Sequence, residues 1–152
     1  MGKSLPDSRA EMKRSIENVQ VACGMPTLIQ GDNVKDCATG IDGEVIRSPV
    51  GVFGMIAPFN FPSMVPMWFL PYAVAAGNTY VVKCSEQVPI TMQRQFELID
   101  QCGFPPGVVN LVNGDKTASS VLMNHPDVAG ISFVGTSPVA KIVAETCARS
   151  GK

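Results

Sequence analysis

Scarcity narrows the chemistry of this chain before any motif does. Of its 152 residues one is histidine and one tryptophan, and charged residues make up 16%, against roughly 25% in ordinary soluble domains. The five cysteines, at positions 23, 37, 84, 102 and 147, are odd in number and form no C-x-x-C pair. Neither a zinc cluster nor a disulfide framework is encoded, no metal is expected, and a reducing compartment suits the thiols. Lys+Arg 12 against Asp+Glu 13 leaves a formal charge of -1, which gives no footprint for nucleic acid or an anionic membrane. The G-x-G-x-x-G and G-x-x-x-x-G-K-[ST] phosphate motifs are both missing, so neither common nucleotide loop applies.

From Ser48 to Val82 no residue is charged, which satisfies the length condition for a membrane span. Prolines at 49, 58, 62, 66 and 71 exclude that reading, because each removes a backbone donor from a continuous helix. The polar opening Met1–Arg14 lacks an apolar signal core, and Pro6 stands where N-myristoylation requires Ser or Thr. No export signal or lipid anchor is expected, and the default location is cytoplasmic.

What is present is apolar and regularly alternating. Hydrophobic residues reach 45% and the mean hydropathy is +0.17, which predicts few solvated faces and hence an oligomer or a segment of a larger protein. Ser8-Arg9-Ala10-Glu11 reads as a capping box, with Met12, Ile16, Val19 and Cys23 forming one stripe of an amphipathic helix that Gly24 ends. Residues 25 to 43 read as an irregular arm and Glu44–Arg47 as a short exposed strand. Apolar runs follow at 50–57, 79–82, 108–112 and 128–134. Helices are expected at Pro62–Ala76, from Pro89 to Gly103, at Lys116–Asn124 and at Pro138–Arg149. Strands that are apolar throughout and separated by helices predict an α/β fold: a doubly wound, mostly parallel sheet. Trp68, Met64, Met67 and the cysteines are expected as packing, and His125 as a solvated turn residue.

In such sheets ligands lie beyond the carboxyl ends of the strands. The four loops there read Ala57-Pro-Phe-Asn-Phe-Pro62, Lys83-Cys-Ser-Glu-Gln87, Asn113-Gly-Asp115 and Gly135-Thr-Ser-Pro138. A cation, a carboxylate, hydroxyls ahead of a helix and glycine turns suit the phosphates and ribose of a dinucleotide.

Four motifs, Pro58–Pro62, Gly77–Lys83 with Ser85–Pro89, Gly103–Asn110 and Ile131–Thr136, resemble the aldehyde dehydrogenase superfamily in order and spacing, over practically the whole chain. Phe59, Val65–Pro71 and Ser132–Gly135 are most similar to its CoA-acylating methylmalonate-semialdehyde dehydrogenase branch. The resemblance implies that Ala57 and Phe59 line the nicotinamide end of NAD, that Lys83 and Glu86 hold the adenosine ribose with Gln87 beside them, and that Thr136 binds pyrophosphate. It gives Asn60 the catalytic task of donating to the oxyanion formed when a cysteine thiolate attacks an aldehyde. A carboxylate at Glu86 favours NAD over NADP. None of the five cysteines has the glycine-glutamine context of the family nucleophile, and Ala140 stands where many members carry glycine.

The chain then divides into a helix of the cofactor domain (1–24), an arm with an oligomerisation strand (25–48) and a partial dinucleotide-binding domain (49–152). By the same resemblance the parent oxidises methylmalonate or malonate semialdehyde with coenzyme A as co-substrate and loss of carbon dioxide. It is a homo-oligomer, a tetramer in the parent enzyme, and lies in the mitochondrial matrix if eukaryotic. The segment alone is expected to bind NAD weakly or not at all and to be inactive. Two alternatives stand beside this: a non-catalytic nucleotide-binding or assembly module, and a fragment of a CoA-independent aldehyde dehydrogenase.

Overall fold

The computed structural model describes residues 1–152, and its first helix, α1 (Leu5–Ala22), starts earlier than the capping-box reading places it. Ser4 is the cap: its hydroxyl accepts the Asp7 N–H at 3.2 Å, while the Ser8 hydroxyl donates back to the Ser4 carbonyl. Pro6 suits the first turn because its missing N–H would have no helical partner there. The buried face also differs from the apolar stripe. Glu11, Ser15 and Ala22 point inward, whereas Met12, Ile16 and Val19 are exposed. Polar partners described below make that inversion tolerable.

After the short helix α2 (Met25–Leu28), the segment read as irregular forms an antiparallel hairpin, β1 (Asn33–Ala38) with β2 (Ile41–Glu44). Only Glu44 of the strand expected at Glu44–Arg47 takes part. Side chains compensate for the missing alternation: Asp36 accepts the Gly40 N–H at 2.9 Å, and Asp42 accepts the Asp36 N–H at 3.0 Å and the Lys35 ammonium at 2.5 Å. Every residue of the hairpin strands is exposed except the half-buried Gly43.

The remainder is a four-stranded, wholly parallel sheet made of β3 (Val52–Ile56), β4 (Thr79–Lys83), β5 (Val109–Val112) and β6 (Val128–Phe133), in the order β5-β4-β3-β6. The crossovers carry α3 (Leu70–Ala75), α4 (Pro89–Asp100) and α5 (Lys116–Asn124), and α6 (Ser137–Arg149) follows β6. The single helix expected at Pro62–Ala76 is broken into turns, a 3-10 turn at Pro66–Trp68 and α3. Pro66 and Pro71 remove the donors that would have joined them.

Strand pleating sends alternate residues to opposite faces. Met55 of β3 and the adjoining Ala57, Tyr80 and Val82 of β4 and the adjoining Cys84 pack with Val65, Met67, Leu70 and Met92 on one side. Ile56 packs with Met123, Val143 and Cys147 on the other. Trp68 lies largely outside this packing, and Cys23, Cys37 and Cys102 are exposed, contrary to the expectation of five buried thiols. His125 is exposed, its Nδ1 accepting the Asp127 N–H at 3.3 Å.

The junction before β3 depends on the buried Asn78, whose Oδ1 accepts the Val50 and Gly51 amides at 2.8 and 3.0 Å while its Nδ2 donates to the Ala73 carbonyl. Gly77 precedes it at φ +84, where a Cβ would also stand 2.7 Å from Pro49 Cγ. Asn78→Ala strands these backbone groups, and a fall of about 1–3 kcal/mol in unfolding free energy is expected by urea titration. Cys84 and Cys147 each report on one face of the sheet, and burial pushes both thiols up. Under native conditions iodoacetamide should modify Cys23, Cys37 and Cys102 at least about 100-fold faster than this pair. Equal rates by peptide mass spectrometry would contradict the packing.

Candidate functional site

Parallel pairing fixes where the four loops begin. The register sets Ile56 beside both Lys83 and Phe133, and Lys83 beside Val112. The last residues of all four strands therefore form one row, Val112, Lys83, Ile56, Phe133, spanning three strand spacings or about 14 Å. Ala57 prolongs the pairing by donating its N–H to the Lys83 carbonyl at 3.0 Å. The chain runs outward from β3 through β4 to β5, then reverses to place β6 on the far side of β3. That reversal is the topological switch point at which open α/β sheets carry their ligands.

Lys83 is not the surface lysine its type would suggest: only 4% of it is exposed. It stands on the strand face opposite Val82 and Cys84, so its stem lies on the α5–α6 side. Its ammonium donates to Glu86 Oε2 at 2.9 Å, and Glu86 itself is exposed. The Glu86 carboxyl is held below its ordinary value, first by its own backbone N–H and then by Lys83. An ammonium has three donors, and the pair uses one, leaving two donors of a charged group at the rim.

Thr136 is the cap of α6, with extended backbone, yet its side chain makes no capping bond. The Ser137 and Val139 amides are among those a helix start leaves without intrahelical partners, and Pro138 has none to offer. A 13-residue helix adds its positive end at this point. At Gly135 a Cβ would stand 2.4 Å from Phe133 Cζ, so a side chain there would require the Phe133 ring to turn. Hydroxyl, amides and dipole together suit an oxyanion such as a phosphate.

Asn60 lies in the exposed turn after β3, between Phe59, which is half exposed, and Phe61. Its carboxamide makes no hydrogen bond within the chain, although its backbone carbonyl accepts the Lys3 ammonium at 2.7 Å. Ala57 is buried, and Gln87 is exposed with its N–H on Ser85 Oγ at 3.3 Å. The sheet thus gathers Ala57, Phe59, Asn60, Lys83, Glu86, Gln87 and Thr136 along one edge.

The β5 loop behaves differently. Asp115 caps α5 by accepting the Thr117 N–H at 2.8 Å, which is the leading cause that lowers its pKa. Asn113 accepts the Cys84 thiol at 3.0 Å. Both are engaged within the fold.

Sequence reasoning missed the support beneath the Asn60 turn. Glu11 of α1 is buried, with Lys3 on one carboxylate oxygen and the Ser63 and Met64 amides on the other. Ser63 Oγ lies 2.7 Å from Ser15 Oγ and accepts Gln95 Nε2 at 2.7 Å. The available signal was polar residues four apart on a helix, Glu11 and Ser15, of which the capping-box reading had claimed Glu11.

With this geometry in hand, comparisons place the chain. The aldehyde dehydrogenase family model matches residues 1–152. Malonate-semialdehyde dehydrogenase 2 of Shouchella clausii is 50% identical over 151 residues, which are 99% of this chain and 31% of that protein. Malonate-semialdehyde dehydrogenase 1 of Oceanobacillus iheyensis is 48% identical with the same coverage. Among solved structures, a protein assigned as methylmalonate-semialdehyde dehydrogenase from Sinorhizobium meliloti 1021, complexed with NAD, superposes with TM-score 0.96. It is 41% identical, over 99% of this chain and 30% of its own. The methylmalonate-semialdehyde dehydrogenase of Oceanimonas doudoroffii gives TM-score 0.92 at 42% identity, over 94% and 29%. The chain spans 31% of the curated relatives it matches. On the match across all its residues and on this fold, the chain belongs to the aldehyde dehydrogenase family.

Proposed function

We propose that this chain is the NAD-binding part of a CoA-acylating methylmalonate- or malonate-semialdehyde dehydrogenase. The observation that carries the reading is the row of strand ends, which brings a buried lysine, a paired carboxylate and an uncapped helix start to one edge. Half identity to malonate-semialdehyde dehydrogenases and the likeness to an NAD-bound relative support it.

In this reading Lys83 and Glu86 hold the adenosine ribose hydroxyls and Gln87 flanks them. The Thr136 hydroxyl and the first amides of α6 take the pyrophosphate, and Ala57 and Phe59 border the nicotinamide end. Bound NAD supplies the hydride acceptor. Asn60, whose carboxamide is free, donates to the oxyanion that develops as a thiolate attacks the aldehyde carbonyl. Cys84 is not that thiolate: it is buried, pushed up by desolvation and bonded to Asn113. The nucleophile, and coenzyme A as acyl acceptor, come from outside these residues. A second reading, an assembly module, draws on the exposed two-stranded hairpin. It predicts co-purification with a full-length dehydrogenase.

Two outcomes test the proposal. The 152-residue chain binds NAD no more tightly than roughly millimolar, about -4 kcal/mol, by calorimetry, and it does not reduce NAD with malonate semialdehyde and CoA. Turnover by the chain alone would refute this. The second test replaces the matching segment of the Shouchella clausii enzyme with residues 1–152. In that chimera Asn60→Ala lowers kcat by about 100- to 1,000-fold with little change in KM for NAD. Lys83→Met instead raises KM for NAD, and the opposite pattern in stopped-flow and steady-state assays would exchange or remove the two roles.

A further inference from the structure

Resting on the reading of Asn60 as oxyanion donor, we infer that Lys3 and Glu11 are positioning residues that set the direction of the Asn60 side chain. Glu11 lies on α1, only 6% exposed. Its Oε2 takes the Lys3 ammonium, and its Oε1 accepts the Ser63 and Met64 amides at 2.8 and 3.2 Å. Lys3 spends a second donor on the Asn60 carbonyl at 2.7 Å and rests 4.0 Å from the centre of the Phe61 ring. One ion pair therefore grips the turn at both ends, at carbonyl 60 and at amides 63 and 64.

The consequence for Asn60 is geometric. A hydrogen bond to its carbonyl holds the peptide plane that follows it, and so holds its ψ. Pro62 fixes a further φ two residues on. The direction of the Asn60 Cα–Cβ bond is then determined, and since the carboxamide has no partner of its own, only the backbone aims it. Packing alone does not explain the choice of residues. A carboxylate inside a helix–turn contact is unfavourable unless fully satisfied, and an apolar side chain would fill the space as stably. Charge paired to charge, with two backbone amides on the remaining oxygen, fixes orientation as well as filling the space.

The test begins with the isotope-labelled 152-residue chain. Lys3→Met shifts the Asn60 carbonyl resonance, and Lys3→Arg restores it. Glu11→Ala speeds amide exchange at Ser63 and Met64 at least about 10-fold while β3, β4 and β6 keep theirs within about twofold. An unmoved Asn60 signal in Lys3→Met, or exchange that rises equally across the sheet, overturns the proposal, and Glu11→Gln serves if Glu11→Ala does not fold. In the chimeric enzyme Lys3→Met lowers kcat on the order of 10- to 100-fold with KM for NAD unchanged. Normal kcat in Lys3→Met beside a low kcat in Asn60→Ala overturns the positioning role and leaves the reading of Asn60 standing. Normal kcat in Asn60→Ala overturns both.

Discussion

Strand direction is the constraint from which the rest follows. Four neighbouring strands that all run the same way must release their chains at a single edge, and each connection has to cross the sheet before the next strand can start. Residues as far apart in sequence as Ala57 and Thr136 thus come to the same rim. The in-line register sharpens this, since the strands end level rather than staggered. Had β6 run antiparallel, Thr136 and the start of α6 would face the opposite edge, and no combination of side chains could restore the cradle.

Upon that frame two kinds of chemistry are kept apart. Apolar packing covers both faces, with a methionine-rich cluster against β3 and β4 on one side and a smaller one around Ile56 on the other. Polar residues concentrate where backbone leaves the sheet: Asn78 at the entry to β3, Glu11 under the turn that follows it, and Lys83 at the end of β4. Asn78 and Glu11 pair backbone amides that the loops would otherwise leave without partners, and Lys83 pairs with the exposed Glu86. Rigidity at the strand ends thus rests on hydrogen bonds, and hydrophobic burial holds the layers that support them.

Much of the frame was readable from residue order alone. The runs around Val52–Ile56, Thr79–Lys83, Val109–Val112 and Val128–Phe133 announce buried parallel strands because nothing in them alternates, and α5 came out at Lys116–Asn124 as its pattern implied. The chain from Pro62 to Ala76 misled, since apolar spacing says helix while Pro66 and Pro71 say otherwise, and the missing donors prevailed. In α1 the error was one of partner rather than of structure. An apolar stripe points inward only when nothing polar on the next face has a better-matched target, and Glu11 has three such partners, of which the Ser63 and Met64 amides lie far away in sequence. The hairpin escaped notice because its pairing relies on Asp36 and Asp42 side chains instead of on period-two hydrophobicity. Of the candidate site, the residues were legible and their environment was not: no rule of composition buries Lys83 or exposes Phe59.

The central claim is spatial, that a dinucleotide meets the carboxyl edge of the sheet and touches the β4 loop and the α6 start together. Titrating the labelled chain with millimolar NAD and following backbone amide resonances addresses it most directly. The account predicts shifts concentrated at Lys83, Glu86, Gln87, Thr136, Ser137 and Val139, with the β1–β2 hairpin silent. Shifts gathered on the hairpin or at the opposite edge of the sheet, with these amides unmoved, would contradict it.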